Sequence, residues 1–203
     1  MAYNAKMTTL PYKERAKCLE DVFRLDYGEA SKDFKKYCLG GAATFACLSK
    51  KAVSHLNSID CSIVQAIASC YKANDWNKAY NLFRRVGLEK YGLVAEHTIP
   101  CAIVYDWAVR DKSRQTRSAF EHLLRDGIFV QCGITSEEDF YLRQAGLNQK
   151  MPSTWNGNID SDATFARYRA VKIVPVMLGD LKLAITEDDC HSAFRQRCPS
   201  FPR

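Results

Sequence analysis

Arg110, Arg114 and Arg117 stand at i, i+4 and i+7, with Lys112 beside them. On an unbroken helix, three guanidiniums at that spacing line one stripe about 10 Å long. The spacing suits successive phosphates, which arginine holds by paired, charge-assisted hydrogen bonds. The same side chains could instead pair with Asp106, Asp111 and Glu121 as a solvated charged face. A second basic group is Arg167, Arg169 and Lys172, joined by Lys182 across a turn. Smaller patches are Lys32, Lys35 and Lys36, and Arg84 with Arg85.

Other chemistries have weaker carriers. No two cysteines stand three apart, so zinc-ribbon and zinc-finger spacings are absent; His97 with Cys101, four apart, is the nearest approach to a ligand pair. There is no GxSxG, no GxxxxGK followed by Ser or Thr, and no GxGxxG. His55, His97, His122 and His191 stand in contexts that mark none of them as a general base. Glu137-Glu138-Asp139 and Glu187-Asp188-Asp189 both open expected helices, where negative charge complements the helix dipole and caps free N–H groups. The expectation is no cofactor, no metal site and no catalytic residue.

Composition sets the frame. The chain has 203 residues, 47% of them hydrophobic, enough for a packed core in one large domain or two small ones. No stretch is long and apolar enough to span a membrane, and the first residues, MAYNAKMTTLPYKERAK, lack an apolar leader; a cytoplasmic protein is expected. Nine cysteines, most within apolar patterns, then read as reduced, buried thiols. A net charge of +6 permits an acidic partner without requiring one.

The elements that must position these residues are mostly helical. The clearest is an αα-hairpin from Ser62 to Gly87, with Ile63, Ala66, Ile67 and Cys70 on one helix and Trp76, Ala79, Tyr80, Phe83 and Val86 on the other. Asn74-Asp75 makes its turn, Asp75 caps its second helix, and Asp60 or Ser58 caps its first. Helices are expected over 11–27, 30–39 and 42–56, the last with Phe45, Leu48, Ala52 and Val53 inward, and again after Pro100. The polar VRDKSRQTRS segment is either the solvated waist of one long helix or, the favoured reading, a break near Ser113, which then caps the half ending at Gly127.

Beyond Gly127 the pattern is mixed. IFVQC (128–132) reads as a strand, Ser136-Glu-Glu-Asp139 as a capping box opening a helix to about Ala145, and 147–160 as a long loop. A helix over 161–170 precedes a β-hairpin over 171–185, turning at Gly179-Asp180, with Pro175 on an edge strand; a last helix starts near Thr186. The fold class is therefore α+β and mainly α-helical: a helical part over 1–126 built around the αα-hairpin, and a small α/β part over 127–203.

Two resemblances follow from these residues. The Cys61–Val86 hairpin, through CYKANDWNKAYNLFRRV, is similar in shape to one tetratricopeptide or pentatricopeptide unit, although no second copy follows at a fixed period. The order helix 115–126, strand 128–132, helix 137–145, helix 161–170 and hairpin is similar to a winged helix-turn-helix. That resemblance implies that the third helix enters a DNA groove and the hairpin is the wing. The 147–160 link is longer than the motif's turn of about three or four residues, and its wing tip carries Asp180.

The leading expectation is a non-enzymatic protein that contacts nucleic-acid phosphates through Arg110, Lys112, Arg114, Arg117, Arg167, Arg169 and Lys172. The alternative is a protein–protein adaptor or assembly component, such as a virus would encode, using helical hairpins as its surface. An unrecognised enzyme ranks last. No membrane partner is expected.

Overall fold

Two parallel strands, β1 (Thr44–Ser49) and β3 (Val130–Thr135), form the centre of the molecule. The structure, a computed structural model, describes residues 10–25, 30–85 and 91–181. Strand β2 (Leu93–His97) pairs antiparallel with β3, and β4 (Pro175–Met177) pairs antiparallel with β1, giving the order β2-β3-β1-β4. The helices are α1 (Tyr12–Arg24), α2 (Ala30–Ala42), α3 (Lys50–Ile59), α4 (Cys61–Lys72), α5 (Trp76–Phe83), α6 (Cys101–Arg110), α7 (Arg117–Arg125), α8 (Ser136–Gln144), α9 (Ser161–Thr164) and α10 (Ala166–Ala170). The fold is α+β, mainly helical, with a small mixed sheet.

The αα-hairpin forms as α4 and α5. Asp60 Oδ1 accepts from the Ser62 amide at 2.9 Å, and Asp75 Oδ1 from the Lys78 amide at 3.0 Å, so both helices start on a carboxylate cap. Asn74 turns the chain with φ 61°, a conformation asparagine tolerates better than most residues. The stop expected at Gly87 lies outside the described residues.

The expected helix over 42–56 is corrected: its first half is strand β1 and only its second half is helical. All six β1 residues are buried, so no period-two alternation marks the strand. Phe45 and Leu48 join the core formed by α3, α4 and α5, while Ala46 and Cys47 join the core against Leu142, Tyr168 and Ile173. A short apolar run covered on both faces reads equally well as buried helix. Strand β2 likewise falls where no element was expected. The first 126 residues thus supply two of the four strands among the described residues.

Smaller shifts follow from capping. The helix after Pro100 does break where expected, but Thr116, not Ser113, caps α7 through a bond from Ala119 N. The capping box at α8 uses Thr135 with Glu138, one residue before the expected Ser136. The 161–170 helix is divided at Phe165 into α9 and α10. Among the described residues Pro175 begins a strand at the edge of the sheet, and Leu178 N donates to Ala46 O at 2.9 Å; the return strand of the hairpin lies outside the described residues. A third core, built from α1, α2, α6 and α7 with Ile128, Phe129 and Ile159, lies beside the sheet.

Candidate nucleic-acid interface

The arginine stripe is distributed over three elements. Arg110 ends α6, Arg114 sits in a single 3-10 turn (Lys112–Arg114), and Arg117 opens α7, so the i, i+4, i+7 geometry of one helix is not formed. Asp111 causes the break: it leaves the helix with φ −146° and accepts from Ser113 N at 2.9 Å. Arg117 Nε donates to Glu121 at 2.7 Å, and Arg114 lies 3.6 Å from Asp111 with its guanidinium over the Trp107 ring at 5.3 Å. Arg110 and Lys112 are exposed and make no ion pair among the described residues.

Arg167 is corrected from a groove-facing residue to a buried anchor. Its side chain is fully enclosed and donates to Thr98 O at 3.1 Å, Asn148 O at 3.2 Å and Glu96 Oε1 at 2.8 Å, and also to Leu147 O and His97 O. The guanidinium therefore ties β2 and the start of the 147–160 loop to α10, and it has no donor to spare for a phosphate. The winged-helix reading loses its recognition helix here: α10 is five residues long, with Arg167 turned inward. Arg169 and Lys172 remain exposed, Lys172 in a left-handed turn at φ 61°.

The face that sequence spacing only half revealed lies between α2 and α6. Lys32 and Lys36, one turn apart, hold their ammonium groups over the ring of Tyr105 on α6 at 5.8 and 5.7 Å. Lys35 lies over Phe23 at 5.5 Å and donates to Phe23 O. None of the three makes an ion pair among the described residues. Tyr105 packs against Phe23 in a tilted ring pair, 6.0 Å between ring centres. The lysine spacing was legible in the sequence. That Tyr105 stands opposite was not, because it depends on how α2 packs on α6.

An open cleft of about 620 Å3 lies between the 154–156 segment and α10, lined by Thr154, Trp155, Asn156, Asp162, Arg169 and two alanines, Ala166 and Ala170. The Trp155 indole N–H donates to Asn158 O at 2.6 Å, and Asn156 Oδ1 accepts from Asn158 N at 2.8 Å. Arg169 donates to the backbone carbonyl of Asp162.

A second cleft, about 290 Å3, gathers Glu96, His97, Cys101, Asp139, Arg143 and Asn148. Burial sets the protonation of two of its groups. Burial pushes the Cys101 thiol up to about 12, so it is no thiolate at neutral pH. Burial also lowers the pKa of His97, whose Nε2 lies 3.2 Å from Gly40 O and 3.0 Å from Gln131 Nε2. Asp139 is bound to Arg143 at 2.6 Å. The three neighbouring carboxylates at α8 act locally: Glu137 pairs with Lys51, and Glu138 accepts from Thr135 N at 2.9 Å and Ser49 Oγ at 2.5 Å. Glu138 thus occupies the point where α3 and α8 both begin, the place where a helix start would otherwise attract an anion.

Among the described residues no three His, Cys, Asp or Glu side chains converge on a metal position, and no helix is long and apolar enough to cross a membrane. The seven cysteines in the described residues form no disulfide, and four of them are buried; Cys190 and Cys198 lie outside, as do Lys182, His191 and the carboxylates at 187–189. Comparison with protein-family models, with curated proteins and with solved structures finds no match for this chain.

Proposed function

We propose that the protein is a non-enzymatic nucleic-acid-binding protein that contacts the phosphate backbone through the basic face of α2 and α6. One observation carries this reading: Lys32 and Lys36 both hold their ammonium groups over the Tyr105 ring across the helix seam, without a carboxylate partner among the described residues. Clustered ammonium groups beside an aromatic match what a nucleic-acid strand needs: charge to replace counterions and a ring next to it. Arg110, at the end of α6, and Lys112, in the turn that follows, add exposed charge. Acidic residues do occur on the same elements, at Asp33 and Asp106, and hold the net charge of the face to a moderate value.

The test is fluorescence anisotropy with single- and double-stranded DNA and RNA across a salt series. Each phosphate contact contributes about 0.7–0.9 to the slope of log K against log salt, so Lys32→Ala/Lys36→Ala should lower it by roughly 1.4–1.8. A wild-type protein that binds none of the four at low salt ends this reading. An adaptor surface then takes its place, with Tyr37 and Val109, 43% and 40% exposed on the same two helices, as its first candidates.

A further inference from the structure

We propose that the cleft between Trp155 and α10 binds one unstacked nucleotide of a single strand, the base on the Trp155 ring and the phosphate at Arg169. The inference rests on the nucleic-acid reading above and adds to it a preference for single strands.

Size and lining fit such an occupant. A cleft of about 620 Å3 falls within the usual range for small-molecule sites, roughly 300–1,000 Å3. Ala166 and Ala170 line one wall, one turn apart on α10, and their short side chains leave the floor open. Trp155 is a prepared platform. Its N–H is committed to Asn158 O at 2.6 Å, its own amide donates to Pro152 O at 2.9 Å, and part of its ring packs on the α1–α2–α6–α7 core. A ring fixed in this way loses little freedom when a base stacks on it. The long 147–160 loop thereby gains a role: it carries the platform and is pinned at its start by Arg167.

The polar groups distinguish the two ends of a nucleotide. Arg169 is exposed, spends one donor on the Asp162 carbonyl and makes no ion pair among the described residues, so guanidinium donors remain for a phosphate. The Asp162 carboxylate repels a phosphate but accepts from an exocyclic amino group, as carboxylates do from cytosine. The Asn156 amide adds donors, its oxygen already being taken by Asn158 N. A base held in a duplex cannot lie on Trp155, because both its faces are covered by its neighbours in the stack. A splayed single strand can.

The probes are cytidine and adenosine monophosphates, titrated into the full chain and followed by calorimetry. The wild type should bind at least one of them saturably at millimolar concentration. Trp155→Ala and Arg169→Ala should each weaken that binding roughly tenfold or more, the scale of one base stack or one charge-assisted contact. Ala170→Trp fills the cleft from an exposed position, leaves Trp155 in place, and should abolish binding with the thermal melt unchanged. Lys32→Ala/Lys36→Ala should leave nucleotide binding intact while weakening long strands. No binding of either monophosphate, or binding indifferent to Arg169→Ala and Ala170→Trp, overturns the cleft proposal. If long strands still bind in a Lys32/Lys36-dependent way, the basic-face reading survives that failure. Nucleotide binding with no dependence of long strands on Lys32 and Lys36 overturns the basic face and leaves the cleft.

Discussion

Phe83 lies against the backbone of Gly133: a β-carbon on Gly133 would stand 2.5 Å from Phe83 Cε2 and 2.6 Å from Leu48 Cδ2. The central strand β3 can run under α5 only because it carries no side chain at this point. Phe83 in turn packs against Phe45 of β1 in a tilted arrangement, 4.8 Å between ring centres, so one ring ties the αα-hairpin to both parallel strands. Gly133→Ala should cost about 1–3 kcal/mol through overpacking, and Phe83→Ala about 3–5 kcal/mol through the cavity it leaves. The two should couple. In a Phe83→Leu background, Gly133→Ala should cost measurably less, read as the shift in urea midpoint. An additive double mutant would show that the ring and the strand are independent.

Two buried arginines should respond oppositely to substitution. Arg167 is paired with Glu96 and satisfies four backbone carbonyls, so Arg167→Ala leaves a partly buried carboxylate and several acceptors unmatched. The expected loss is about 3–5 kcal/mol, and Arg167→Lys should recover little of it, since one ammonium cannot reach the same acceptors. Arg15 bonds Ala42 O at 2.6 Å, but its Nε and Nη2 have no partner. Its guanidinium lies over Trp76 at 5.0 Å, and burial draws its pKa down to about 10. Arg15→Met should therefore leave the melting temperature unchanged or raise it, because an apolar chain of similar length avoids burying that charge. A large fall would mean that the cation–π contact and the Ala42 bond outweigh desolvation.

Acid sensitivity should run through His97. Burial holds its folded pKa below the usual 6.5, so between that lowered value and 6.5 the unfolded chain binds the extra proton. The contribution to stability is complete above pH 6.5 and declines as pH falls through the folded value. Glu96, whose pKa burial raises above 4.5, acts with the opposite sign: its contribution is present below 4.5 and is lost as pH rises through its folded value. His97→Gln should flatten the loss of stability between pH 7 and pH 5 in a melt series. An unchanged profile would locate the acid sensitivity elsewhere.

What the sequence made legible divides along local and non-local lines. The αα-hairpin, its Asp60 and Asp75 caps and the break before α7 rest on residues a few positions apart, and these features formed as expected. Strand β1 could not be read, since a run buried on both faces carries no alternation, and only its pairing with β3 across 86 positions (Thr44 with Val130) makes it a strand. Basic charge was visible at every site, but its availability was not. Arg167 and Arg169 are two residues apart, yet one is enclosed by five acceptors and the other is exposed. Nothing in the sequence marks Tyr105 and Trp155, because an aromatic looks the same whether it fills a core or floors a surface.

The arginine trio separates paired charge from available charge in one experiment. Arg117 is held by Glu121 at 2.7 Å, and Arg114 by Asp111 and the Trp107 ring. A guanidinium already paired releases few counterions when a strand arrives, because its carboxylate must first be displaced. Arg110 and Lys112 carry no such partner among the described residues. Arg110→Ala and Lys112→Ala should each lower the salt slope by about 0.7–0.9, nearly equally for unrelated sequences, since phosphate contacts position a strand without reading it. Arg117→Ala should leave the slope unchanged. Glu121→Gln, which releases Arg117, should raise it. If Arg117→Ala lowers the slope as much as Arg110→Ala does, the Glu121 pair opens on binding and all three arginines act on the backbone. If neither substitution moves the slope, the end of α6 is a solvated face and binding rests on Lys32 and Lys36 alone.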